Sequence, residues 1–220
     1  DRYYDWGALK GARVLLTCSD ALQPRARRLV RDFGGVPVSR PLIKLVPRED
    51  AVQGVARMKE FDWAVVTSPS AVRCLWDLLP ESGLDVRRLP RIMSCGPGTS
   101  REFLARGVHP EAEPESGFGG EGLMEVAGGQ LEPGMKVLRL RSDKAGPTLA
   151  NALAEQGMDV SDCVLYDNLK VTCPDKPEFD AIYFASSSAV ESFVDQWGAE
   201  AARNTVTCAI GQPTRKTMEE

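Results

Sequence analysis

FDWAVVTSPSAV (Phe61 to Val72) returns more than a hundred residues later as FDAIYFASSSAV (Phe179 to Val190). Each stretch opens Phe-Asp, crosses an apolar run and closes on Ser-x-Ser-Ala-Val. One such pair could be coincidence among apolar strands. Two further pairs, in the same order, make coincidence a poor explanation. RIMSCGPGTSREFL (Arg91 to Leu104) resembles TVTCAIGQPTRKTM (Thr205 to Met218), with Gly96 matching Gly211 and Thr99 matching Thr214. RVLLTCSDALQPRARRLVRDFG (Arg13 to Gly34) resembles KVLRLRSDKAGPTLANALAEQG (Lys136 to Gly157). The chain is two copies of one unit of roughly 110–120 residues.

Each block has the same grammar: a short Val- and Ile-rich run, then small polar residues or Gly, then a helical pattern. Val14–Thr17, Trp63–Thr67, Arg91–Cys95, Val137–Leu140, Ala181–Ala185 and Val206–Ile210 read as buried strands. Residues 21–33, 70–79, 98–106, 146–156, 188–196 and 213 onward read as helices, three of them stopped by Gly34, Gly107 and Gly157. Strands alternating with helices predict an α/β protein of two similar doubly wound parallel-sheet domains. VPVSRPLIKLVP (Val36 to Pro47) and DVSDCVLYDNLKVTCP (Asp159 to Pro174) break the grammar. Both are long, extended and Pro-flanked, and they hold equivalent places in the two copies. They could pair with each other and join the domains. The repeat leaves open whether each copy is a domain or whether the copies exchange pieces.

Composition narrows the function. With 27 Lys and Arg against 31 Asp and Glu, the net charge is −4. Such a chain is a poor non-specific nucleic-acid binder. An anionic ligand must be held by local groups. The six cysteines form no CxxC pair and read as reduced, buried thiols. The single histidine, His109, sits in an acidic loop segment, and no His/Cys/carboxylate cluster suggests a metal. No apolar run approaches the ~20 residues of a membrane helix. No signal-peptide pattern opens the sequence, so a cytoplasmic protein is expected. Asp1 stands where Met would start a gene product, and Glu220 falls inside a helical pattern, so a longer polypeptide is expected.

In open α/β sheets, ligands bind at the carboxyl ends of strands, against helix N-termini. The residues there are small, hydroxyl-bearing or glycine: Thr17, Ser68, Ser70, Gly96, Thr99, Ser186, Ser187, Gly211 and Thr214, with Arg141 beside Ser142. Such residues serve as N-caps. They also let a ligand approach free N–H groups, which attract anions. Both readings stand for any one site. The set as a whole, from two domains around one cleft, suits a ligand carrying many carboxylates or phosphates. None matches a Walker A loop or a complete GxGxxG fingerprint. A catalytic Ser-His pair is missing. The remaining titratable candidate is Tyr166, which could equally be an aromatic packed at a domain junction.

These same residues carry a resemblance to the uroporphyrinogen-III synthase family: TSPSAV (Thr67–Val72), CGPGT (Cys95–Thr99), FASSSAV (Phe184–Val190), IGQPT (Ile210–Thr214) and VLYDN around Tyr166. The resemblance spans nearly the whole chain. It implies exchanged pieces: residues 1–35 with 171–220 as one domain, 47–158 as the other, and 36–46 and 159–170 as extended linkers, with the site in the cleft between the domains. It implies a lyase of tetrapyrrole and heme biosynthesis that closes hydroxymethylbilane to uroporphyrinogen III and water, inverting ring D, with no cofactor or metal. Tyr166 would be catalytic and the hydroxyl and glycine junctions would hold the substrate's acid arms. The expected protein is a monomer without nucleic-acid or membrane partners. Cys18 departs from the Arg common in the family after the first strand's Thr, which weakens an Arg contact there. Family and repeat together predict about 25–35 further residues after Glu220. Tyr4-Asp5-Trp6 resembles the junction found when such a chain follows a uroporphyrinogen methyltransferase. A two-domain binder of a polyanion, with no chemistry, is the alternative; a phosphosugar or nucleotide enzyme is disfavoured by the missing phosphate loop.

Overall fold

The computed structural model of the protein describes residues 7–115, 120–127 and 129–220. The start around Tyr4-Asp5-Trp6 lies outside the described residues. The elements run β1 (Arg13–Leu16), α1 (Gln23–Asp32), β2 (Val36–Ser39), β3 (Ile43–Pro47), α2 (Ala51–Ala56), β4 (Trp63–Val66), α3 (Pro69–Ser82), β5 (Arg91–Ser94), α4 (Pro97–Leu104), α5 (Gly120–Ala127), β6 (Lys136–Ser142), α6 (Thr148–Glu155), β7 (Asp159–Lys170), β8 (Ala181–Phe184), α7 (Ser187–Trp197), β9 (Val206–Ala209) and α8 (Gln212–Glu219). The chain divides into two compact units, residues 1–45 with 168–220 and residues 46–167.

In the first unit the sheet order is β2-β1-β8-β9, with all pairs parallel. Successive strand residues face opposite sides, so each face needs its own cover. Val14 and Leu16 pack with Val30 of α1, while Leu15 packs on the other face with Ile182, Phe184 and Phe193 of α7. Phe193 meets Phe184 edge-on at 5.5 Å and Trp197 at 5.2 Å. Such T-shaped pairs add to the burial of the rings themselves.

In the second unit the order is β3-β7-β6-β4-β5, parallel from β7 through β5. Trp63, Val65, Met93 and Val137 meet Leu123 of α5 and Leu149 and Leu153 of α6. Ala64 and Val66 face the other way and are fully buried. Arg91 lies over the Trp63 ring, its guanidinium carbon 4.0 Å from the centroid.

The two sheets have the same internal order once the repeat is applied: β2-β1-β8-β9 corresponds to β7-β6-β4-β5. Neither sequence copy is a unit. Each unit takes its first βαβ block from one copy and its second block from the other. The segments expected to be linkers are sheet strands over much of their length. Val36–Ser39 pairs with β1, and Asp159 onward pairs with β6 as far as Tyr166.

The doubled phrase now has a physical explanation. Asp62 accepts a hydrogen bond from the backbone N–H of Lys136 at 2.8 Å, and Asp180 accepts one from Arg13 at 2.8 Å. Each aspartate pins the first residue of the neighbouring strand, which belongs to the other copy. Ser68 Oγ accepts from Ala71 N–H at 3.1 Å and Ser186 Oγ from Ala189 N–H at 3.2 Å. These are the N-caps of α3 and α7. The Ala-Val that follows is buried in both helices.

Candidate functional site

Because β7, β6, β4 and β5 run parallel, their carboxyl ends share one edge of the second unit. Three junctions lie there: Thr67 to Ser70 before α3, Cys95 to Thr99 before α4, and Ser142 to Pro147 before α6. Tyr166 sits opposite Ser142 in the register, just past a shift in the β6–β7 pairing. Its side chain is buried at 5 % exposure, and its hydroxyl is 3.1 Å from Ser68 Oγ. Burial pushes the Tyr166 hydroxyl above its ordinary value, and this outweighs the opposing pull of Ser68 and Ser142. At neutral pH the group is therefore a protonated phenol able to donate.

The other predicted residues of this unit divide into two kinds. Thr99 is buried at the head of α4, and its N–H bonds back to the Gly96 carbonyl at 3.0 Å. Gly98 stands close to Pro69, so the α3 and α4 junctions adjoin. Ser70 Oγ accepts from Arg73, which also pairs with Glu102 of α4. Burial raises the neighbouring Cys95 thiol to about 12, so it is an inert thiol at neutral pH.

Arg141 belongs to the second kind. Sequence reasoning named it as a ligand for acid groups, yet its guanidinium is turned on the protein. Nε donates to Asp162 Oδ2 at 2.7 Å, and Nη1 donates to the carbonyls of Ser142, Asp143 and Ala145 at 2.8, 3.4 and 3.3 Å. Arg139, 4 % exposed, takes the same carboxylate with two nitrogens at 2.7 and 2.8 Å and reaches the Gly146 carbonyl at 3.2 Å. Burial alone would raise the Asp162 carboxyl. The two guanidiniums outweigh it and hold the carboxyl below its ordinary value. Sequence reasoning missed Arg139 and Asp162. The signal was present: charges alternating inside the apolar strand Val137-Leu138-Arg139-Leu140-Arg141 demand a buried partner.

In the first unit, Thr17 is fully buried and its Oγ1 donates to the Tyr183 carbonyl at 2.9 Å. Gln23 Nε2 donates to the Leu16 and Cys18 carbonyls, both at 3.0 Å. This junction is closed by its own side chains. Burial pushes the Cys18 thiol up to about 11. Ser186 caps α7. Ser187 donates to the Pro213 carbonyl and accepts from Thr217 Oγ1, tying the α7 and α8 junctions together. Gly211 precedes α8 with extended backbone, and Thr214 is buried at 4 % exposure, as Thr99 is in the other unit. Among the described residues no group of three or more His, Cys, Asp or Glu is placed to hold a metal ion. No helix among them is long and apolar enough to cross a membrane.

Two α/β units with parallel sheets, built from exchanged halves of a repeat and ending their strands in hydroxyl- and glycine-bearing junctions, define the class. The comparisons give the family. The family model described as "Uroporphyrinogen-III synthase HemD" matches residues 24–220, and the chain belongs to the uroporphyrinogen-III synthase family. It is 31% identical over 199 residues to the chloroplastic uroporphyrinogen-III synthase of Oryza sativa subsp. japonica, covering 82% of this chain and 63% of that one. It is 23% identical to the porphyrin biosynthesis protein HemD of Ruminiclostridium josui, covering 96% of this chain and 44% of that one. The chain thus spans less than two thirds of the length of these two relatives. Among solved structures it resembles a mutant uroporphyrinogen III synthase from the extreme thermophile Thermus thermophilus, with a TM-score of 0.66, 21% identity and coverage of 95% and 88% of the two chains. The uroporphyrinogen-III synthetase of Helicobacter pylori gives a TM-score of 0.60 at 16% identity, with coverage of 94% and 88%. These likenesses establish the shared fold.

Proposed function

We propose that this protein cyclises hydroxymethylbilane with inversion of ring D, giving uroporphyrinogen III and water. Tyr166 is the catalytic residue in this reading, donating a proton or hydrogen bond to the departing hydroxyl. The observation that carries it is the buried, protonated Tyr166 phenol paired with Ser68 at the strand ends of the second unit. Loss of the hydroxyl leaves an azafulvene. The substituted carbon of the last pyrrole attacks it to give a spiro intermediate, and fragmentation with reclosure turns the ring over.

The bilane loses water readily and also closes unaided to the uninverted isomer. The protein's work is then chiefly to hold one folded substrate geometry, which is catalysis by positioning. Ser68, Ser70, Gly96 and Thr99 of one unit, and Ser186, Ser187, Gly211 and Thr214 of the other, would take the acetate and propionate arms through hydroxyls and helix N–H groups. Neutral hydrogen bonds contribute about 0.5–1.5 kcal/mol each, so no single arm contact should be decisive. Thr17 and Arg141 are spent on internal bonds and act by shaping their junctions. The reading makes the protein a cofactor-free cytoplasmic monomer, working beside a uroporphyrinogen methyltransferase. The buried free thiols Cys18, Cys74, Cys95 and Cys163 suit a reducing compartment.

The test is to supply bilane and separate the oxidised porphyrin isomers by chromatography. Type III porphyrin in excess of the spontaneous type I product is expected. Type I alone would reduce the protein to a binder. Tyr166→Phe should lower kcat by about 10²-fold or more, in the range of general-acid assistance. Full kcat in that variant would leave Tyr166 a structural residue and positioning as the sole device.

A further inference from the structure

We propose that Asp162 is a positioning residue for Tyr166, acting through Arg139, Arg141 and the junction from β6 to α6. The carboxylate is the shared anchor of two guanidiniums, taking Nε and Nη2 of Arg139 and Nε of Arg141 within 2.7–2.8 Å. Anchored in this way, the two arginines turn their remaining donors on one short loop. Arg141 holds the carbonyls of Ser142, Asp143 and Ala145, and Arg139 holds that of Gly146. A loop of small residues and Gly gains its shape from these bonds, since Ser142-Asp143-Lys144-Ala145-Gly146 brings no apolar side chain larger than Ala to a core.

The loop in turn fixes Tyr166 at two points. Asp143 N–H donates to the Tyr166 carbonyl at 3.1 Å, and Ser142 stands opposite Tyr166 in the β6–β7 register. Tyr166 therefore has its hydroxyl partner, Ser68, on the α3 cap and its backbone partner, Asp143, on the loop that the Asp162 cluster shapes. Among the described residues, the other charged or titratable groups that act on the phenol, Arg73 and Cys74, lie on α3 and are independent of this cluster. A lysine at position 141 cannot serve a carboxylate and several carbonyls at once, because it lacks the guanidinium fork. The cluster is for this reason chemically specific and not just a buried positive charge.

The activity part of this inference rests on the reading of Tyr166 as the proton donor; the geometric part does not. The experiment uses full-length Arg141→Lys and Asp162→Asn proteins. Arg141→Lys keeps the charge and is the variant more certain to fold. Tyrosines are replaced biosynthetically by 3-fluorotyrosine, whose phenol titrates in a mildly alkaline range. The Tyr166 resonance is assigned by its loss in Tyr166→Phe and followed by fluorine NMR. Loosening the loop admits water to the phenol, so its titration midpoint should fall toward the ordinary value by at least about half a pH unit in Arg141→Lys. A smaller shift there overturns the proposal. In the bilane assay the same variant should lose about tenfold in kcat with KM changed less than about twofold. If the midpoint moves and kcat holds, the positioning role stands and the donor role of Tyr166 fails.

Discussion

Gly54 on α2 exists to make room for one sulfur atom. A Cβ at position 54 would lie 2.5 Å from Cys163 Sγ but 3.4 Å from Cys163 Cβ. Gly54→Ala should therefore cost about 1–3 kcal/mol by overpacking. Cys163→Ala alone loses buried volume. Together the two should cost less than their sum, since the new methyl fills the space the thiol leaves; urea unfolding of the four proteins measures the coupling. Strict additivity would mean that α2 shifts away and not that the atoms collide. Asp162 gives a second residue-scale expectation, in pH. Its folded pKa lies below the unfolded value of about 3.9. Its contribution is then fully present above about pH 4 and is lost as pH falls through the folded value. The stability gap between the wild type and Asp162→Asn should shrink between pH 6 and pH 3. Legibility at this scale followed exposure to chemistry. Tyr166 could be singled out because it stands in VLYDN, one of the motifs that carry the family resemblance. The cluster behind it stayed hidden, because strand register across β6 and β7 decides that Arg139 faces Asp162.

Elements were legible where the repeat wrote them twice. The six strands and six helices read from the alternating grammar all form, because buried parallel strands need continuous apolar runs and their helices need caps and stops. β2, β3 and β7 were harder to read. Val36-Pro37-Val38-Ser39 carries a proline, and β7 mixes Asp, Ser and Asn among its apolar residues. Both β2 and β3 sit at sheet edges, where proline is tolerated. The repeated serines also separate at this scale. Ser186→Ala removes only the cap of α7 and should cost about 1 kcal/mol. Ser68→Ala removes the cap of α3 and one partner of the buried Tyr166 hydroxyl, and should cost about 1 kcal/mol more. Thermal unfolding of both variants compares them. Equal losses would show that the Tyr166–Ser68 bond adds nothing to stability.

At the scale of the whole molecule, exchange of the repeat halves has a consequence for folding. The second unit is continuous, residues 46–167, whereas the first must bring β1 to β8 across 166 residues of chain, the separation of Thr17 and Tyr183. Once the second unit forms, its two ends are hydrogen-bonded together, Arg48 N–H to the Leu165 carbonyl at 2.9 Å. The loop that β1 and β8 must close then shortens to about 50 residues, which lowers the closure cost by about 1 kcal/mol. The second unit should accordingly fold first and speed the first. Trp63 and Trp76 report on the second unit and Trp197 on the first, so single-tryptophan proteins separate the two events in stopped-flow refolding. Leu75→Ala, which hollows the buried face of α3, should delay the Trp197 signal as well as its own unit's. Phe193→Ala should weaken the first unit and leave the folding of the second untouched. A Trp197 phase that precedes the others, or that ignores Leu75→Ala, would mean that β1 and β8 find each other across the unfolded middle of the chain, and that chain continuity does not set the order.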